Sequence, residues 1–130
     1  MDKEVVVAGN KIFYRVYGSG KKIMLIHGFP ETGKVWKNQI DYLQDKFLLI
    51  IPDLPGSGKS ALIPDMSMEG MADVLKAILD NEDPSSGKVA LVGHSMGGYI
   101  TLAFAEKYPE YLAGFGLFHS TAYADSEEKK

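Results

Sequence analysis

The chain has 130 residues, enough for one domain with a genuine core, and 45% of them are apolar and 24% charged, as in an ordinary globular protein. A net charge of −3 argues against nucleic acid or an anionic membrane as the main partner, and no segment reaches the length of a membrane span. With no cysteine, disulfides and thiolate metal sites are excluded.

The charged start Met1-Asp2-Lys3-Glu4 precedes an apolar run too short for a signal peptide, so the expected compartment is the cytoplasm. Val5 to Gly9 reads as a first strand and Gly9-Asn10 as a hairpin turn. From Lys11 to Tyr17 the pattern alternates, with Ile12, Tyr14 and Val16 on one face and Phe13, Arg15 and Tyr17 on the other, which predicts a second, antiparallel strand. Gly18-Ser19-Gly20 breaks it. Ile23 to Ile26 is a continuous apolar run, suited to a strand covered on both faces. His27-Gly28-Phe29-Pro30 follows at once. Trp36, Ile40 and Leu43 then fall at helical spacing, predicting a helix from about Gly33 to Gln44.

Leu48 to Ile51 reads as another buried strand, closed by Pro52-Asp53. Asp53 to Ser60 is rich in turn residues. Met68, Met71, Ala72, Leu75, Ile78 and Leu79 share one helical face, with Ser67 as N-cap and Glu69 in the first turn. Asp83 to Gly87 is a loop. Val89 to Val92 is a fourth apolar run, and a helix from Met96 to about Lys107 buries Ile100, Ala103 and Phe104 until Pro109 ends it. Gly114 to Phe118 is a sixth strand. Two antiparallel strands followed by alternating strands and helices predict an α/β fold: a mostly parallel sheet with helices on both faces. Ligands in such sheets bind at the carboxyl ends of the strands.

Between the run ending at Val92 and the helix beginning at Met96 stands Gly93-His94-Ser95-Met96-Gly97. A serine between a strand and a helix is forced into a sharp turn, and glycines at 93 and 97 make room for it. The turn presents the Ser95 hydroxyl at the sheet's carboxyl end, at a helix N-terminus that favours negative charge. This Gly-x-Ser-x-Gly elbow resembles the nucleophile elbow of the α/β-hydrolases. The His-Gly-Phe-Pro loop and Asp53-Leu54-Pro55-Gly56-Ser57-Gly58-Lys59-Ser60 also resemble loops of that superfamily.

The resemblance implies a serine hydrolase of the esterase or lipase kind, working through an acyl-enzyme on a small ester-type substrate and needing no cofactor and no metal. Ser95 would be the nucleophile. The N–H groups of Met96 and Phe29 would form the oxyanion hole, with Gly28 allowing close approach. His27, His94, Gly93 and Gly97 would support the site, and Asp53 would brace its loop. His-Gly-Phe-Pro-Glu with Trp36 nearby also looks like epoxide hydrolases, but those use an aspartate where this chain has Ser95.

A serine needs a base, and the family order is nucleophile, acid, histidine. None of His27, His94 and His119 matches the catalytic position. Asp125 is an outside candidate for the acid, more readily read as a helix cap. The run Ala124 to Lys130 reads as the start of a helix. The expectation is therefore that residues 1–130 form the N-terminal part of an α/β-hydrolase core, truncated after the sixth strand, without cap or C-terminal strands. Such a fragment would be a weak enzyme, and its sixth strand would invite self-association or strand exchange.

Two other readings compete. One is a non-catalytic, hydrolase-like module that binds a partner. The other is a P-loop nucleotide site, because Gly28 to Lys34 has the spacing G-x-x-x-x-G-K. Against the latter, Val35 cannot hold Mg²⁺ and Pro30 removes an N–H from a loop that works by donating them.

Overall fold

The computed structural model describes residues 2–28, 32–82 and 87–118. Its centre is a six-stranded sheet in the order β1-β2-β4-β3-β5-β6, made of β1 (Asp2–Val7), β2 (Asn10–Tyr17), β3 (Lys21–Ile26), β4 (Phe47–Pro52), β5 (Val89–His94) and β6 (Leu112–Phe118). β1–β2 and β2–β4 are antiparallel, while β4–β3, β3–β5 and β5–β6 are parallel. Among the described residues three α-helices connect them: α1 (Lys37–Leu43), α2 (Met68–Asn81) and α3 (Met96–Lys107).

The alternation of side chains along the central strands sorts the helices onto two faces. Met24 and Ile26 of β3 and Ile50 of β4 pack with Met71, Leu75 and Ile78 of α2 and with Ile100 and Phe104 of α3. Leu25, Leu49 and Ile51 point the other way, onto Trp36, Ile40 and Leu43. The continuous apolar runs of β3 and β4 are thus buried on both sides, as their composition requires.

α2 starts as its sequence indicates. The Ser67 Oγ accepts from the Gly70 N–H at 3.0 Å, and Glu69 sits in the first turn. Its end is fastened to the hairpin. The buried Tyr14 hydroxyl donates to Glu82 at 2.5 Å and accepts from Asn81 at 2.7 Å, and Lys3 reaches both Glu82 oxygens at 3.0 Å. Burial, with the Glu82 hydrogen bond second, pushes the Tyr14 phenol up to about 12.

Three boundaries differ from expectation. The hairpin turn is Ala8-Gly9, not Gly9-Asn10: Val7 pairs with Asn10, and Ala8 and Gly9 both have positive φ, 51° and 79°. A two-residue turn of that hand matches strand twist, and Asn10 secures it by donating to the Ala8 carbonyl at 3.0 Å. The predicted helix from Gly33 begins as a 3-10 turn, Gly33–Trp36, capped by Thr32, before α1 proper. β6 begins at Leu112, because a 3-10 turn at Pro109–Tyr111 delivers the chain to the sheet two residues early. The predicted helix at Ala124 to Lys130 lies outside the described residues, as does most of the Asp83 to Gly87 loop.

Candidate active site

β5 runs into α3 through a single residue, Ser95, with φ 58° and ψ −122°. Only two described non-glycine residues have positive φ, and the other is Ala8 in its hairpin turn. Such backbone costs on the order of 1–3 kcal/mol in a residue with a Cβ, and it persists only where its surroundings fix it. Here they do. A Cβ on Gly97 would collide with the carbonyl oxygens of Ile26 and His27, so the first turn of α3 lies directly on the end of β3. A Cβ on Gly93 would strike Gly97 O and Thr101 Oγ1. The Thr101 hydroxyl donates to Gly97 O at 2.8 Å, and the Gly98 N–H donates to Ser95 O at 2.9 Å. Ser95 itself is exposed.

The exit of β3 comes up against this elbow. A Cβ on Gly28 would sit 2.9 Å from both the Met96 nitrogen and the Ser95 Cβ, and 3.0 Å from His94 O. Met96 is the first residue of α3, where a backbone N–H has no acceptor within the helix. His27 is fully buried. Its Nδ1 lies 2.7 Å from Gly28 O, and its Nε2 accepts from the Leu54 N–H at 2.9 Å. Those partners assign the proton to Nδ1 and tie the imidazole to two loops. His94 leans on Trp36 edge to face, with ring centroids 5.9 Å apart, which joins the elbow to the turn that precedes α1.

Asp53, at the end of β4, is buried and holds the adjoining loops. Its Oδ1 accepts from the Gly33 N–H at 2.9 Å, and its Oδ2 accepts from the Lys59 N–H at 3.2 Å. Ser60 stitches the same loop to β2, donating to Asp53 O at 2.5 Å and accepting from the Phe13 N–H at 2.8 Å. The sequence marks Ser60 as the last position of a loop that resembles the superfamily's, but not its partners, which follow from the pairing of β2 with β4. The Trp36–His94 contact was equally silent, since it joins residues from two separate motifs.

The structure thus brings together Ser95, Met96, Gly93, His94, Gly97, His27 and Gly28 at the carboxyl ends of β3 and β5. Phe29, His119 and Asp125 lie outside the described residues. The Gly33 N–H, which a phosphate-cradling loop would aim at its ligand, is given to the Asp53 carboxylate. That arrangement opposes the nucleotide reading. Among the described residues no group of acidic, histidine or cysteine side chains is arranged to hold a metal ion. No helix among them is long and apolar enough to cross a membrane.

Residues 21–124 match the family described as the alpha/beta hydrolase fold. The chain belongs to that family. A thermophilic esterase from Thermogutta terrifontis superposes with a TM-score of 0.83 at 38% identity, over 97% of this chain and 48% of that one. A cis-3-alkyl-4-alkyloxetan-2-one decarboxylase from Shewanella oneidensis is 29% identical across 88% of this chain and 37% of its own length. A pimeloyl-[acyl-carrier protein] methyl ester esterase from Wigglesworthia glossinidia brevipalpis is 32% identical, with 84% and 40% covered. The chain therefore spans less than half the length of these relatives, and what it matches is the N-terminal part of an α/β hydrolase.

Proposed function

We propose that this chain is the nucleophile-bearing part of a serine hydrolase that cleaves small carboxylic esters through an acyl-enzyme. The observation that carries the reading is the strained, exposed Ser95 at the first turn of α3. Attack by its hydroxyl on an ester carbonyl forms a tetrahedral oxyanion, which needs donors already in place. The Met96 N–H is one, and the close approach of Gly28 to it supports Phe29 as the second. The alkoxide then leaves with a proton, and water releases the acid. The esterases among the relatives carry out such carbonyl chemistry by name, and an oxetan-2-one is itself a cyclic ester.

The base is assigned to the part of the fold this chain does not span. His27 is committed to Gly28 and Leu54, and the relatives are more than twice as long. The chain by itself is then a slow catalyst, with rate arising from oxyanion donors alone. A fluorophosphonate probe should label the folded chain slowly, at Ser95, and Ser95→Ala should abolish labelling. Turnover of an activated ester at about 10 per second, ordinary for an enzyme, would refute the external base. A folded chain that resists labelling would favour the non-catalytic, partner-binding reading.

The compartment is taken to be the cytoplasm. The free side of β6 is assigned to pairing with a second copy. Among the described residues β6 is hydrogen-bonded to β5 alone, and Phe115 and Leu117 stand 50% and 38% exposed on it. Leu117→Lys should shift the chain toward monomer in light scattering at high concentration. A wild-type chain that stays monomeric there would remove the proposal.

A further inference from the structure

A hollow of about 360 Å³ opens on the α1 face, between β2, β4 and α1. It is lined by β2 and β4 rather than by β5, and Gly33 and Lys34 on its rim belong to the turn whose Trp36 meets His94 of the elbow. Its floor is apolar, formed by Ile40 and Ile51, and its walls carry Arg15 and Tyr17 from β2 with Lys34 and Lys37 from the approach to α1. Asp41 is the carboxylate on the lining itself, and Asp2 and Asp53 stand behind Arg15, leaving Lys34 and Lys37 as the cations without a carboxylate partner among the described residues.

Arg15 is the unusual member. Its side chain is only 15% exposed, yet among the described residues the guanidinium makes no hydrogen bond. Its nearest carboxylate oxygens are 3.8 Å away on Asp2 and 3.9 Å away on Asp53. The Asp53 oxygen is already accepting from the Gly33 N–H. The Phe13 ring lies 4.8 Å from the guanidinium carbon and supports it from one side. A largely desolvated fork with unused donors is costly unless something accepts from it. Lys34 and Lys37 are exposed and have no ion-pair partner among the described residues.

We propose that this hollow binds a small organic carboxylate, its two oxygens on the Arg15 fork and its hydrocarbon part on Ile40 and Ile51. A carboxylate matches the planar guanidinium in bidentate fashion, and the apolar floor favours a ligand with a tail over an inorganic anion. Lys34 and Lys37 add field rather than geometry. The site is independent of Ser95 and of whatever supplies the base.

The test is an NMR titration of the whole chain with hexanoate, with hexan-1-ol and with inorganic phosphate. Hexanoate should move the Arg15 Nε–H and the amides from Gly33 to Ile40 saturably, with a Kd of about 1 mM or tighter. Arg15→Gln should weaken it at least about tenfold and Lys37→Gln several-fold, while Ser95→Ala leaves it unchanged. Hexan-1-ol acting as well as hexanoate, or phosphate binding as tightly, would overturn the proposal. So would an unchanged Kd in Lys37→Gln, an exposed change that remains decisive if Arg15→Gln fails to fold.

Discussion

Replacing Ser95 by glycine should make the protein more stable. The residue sits at φ 58° and ψ −122°, a region that costs a side-chain-bearing residue about 1–3 kcal/mol. Glycine reaches it without steric cost, but it frees the unfolded chain by about 0.5–1 kcal/mol. The difference spans about 0–2.5 kcal/mol, a gain of about 1 kcal/mol at its centre. Ser95→Ala is the proper reference, because it removes the hydroxyl and every contact that hydroxyl makes, while keeping the Cβ and hence the strain. Urea unfolding of the two variants should place the glycine midpoint a few tenths of a molar higher with unchanged slope, given slopes of about 1–3 kcal/mol per molar. Both variants lose the nucleophile. If Ser95→Gly is no more stable than Ser95→Ala, the elbow is not strained and the argument for Ser95 loses its physical basis.

Ala8→Asn should stabilise the hairpin by about 1 kcal/mol, because alanine at φ 51° lacks the tolerance for left-handed backbone that asparagine has; an unchanged urea midpoint would contradict the assigned turn. Asp53→Asn should cost about 1–3 kcal/mol, since an amide can accept from the Gly33 N–H or the Lys59 N–H but must turn a donor toward the other. Acid should loosen the end of α3 from α2 through Asp73, and the turn at Tyr111 from α2 through Asp80. Burial raises the Asp73 carboxyl, but hydrogen bonds from Lys107 and Tyr108 outweigh it and leave it below the usual range, while the Lys76 hydrogen bond lowers Asp80. Their contribution is therefore complete above the unfolded value of about 3.9 and is lost as pH falls through the lower folded values. Asp73→Asn with Asp80→Asn should flatten the acid limb of a pH–stability curve, by a small amount because both groups are substantially exposed.

The parts of this fold that were legible in the sequence are those whose cause is local. Burial on two faces makes β3 and β4 continuous apolar runs, and a sharp strand-to-helix bend needs small residues at 93 and 97. A helix start advertises itself when a serine caps it, as Ser67 does. What escaped is settled between distant residues. Asp53 reaches back twenty positions to the Gly33 N–H, and only the crossing of β4 beside β3 brings them together. Ser60 finds its partners on β2 for the same reason. The misplaced hairpin turn is a different failure: Gly9-Asn10 looks the better turn by composition, yet a two-residue turn there would slide β1 by two residues on β2, setting Val5 opposite Tyr14 instead of Ile12. A slide of two keeps every side chain on its own face, with Val5 and Val7 still toward the main core, so the alternation of the two strands does not separate the registers. Strand alternation therefore could not place the turn, and neither could it show that close packing around Gly28, Gly93 and Gly97 holds Ser95 in a backbone conformation serine rarely adopts.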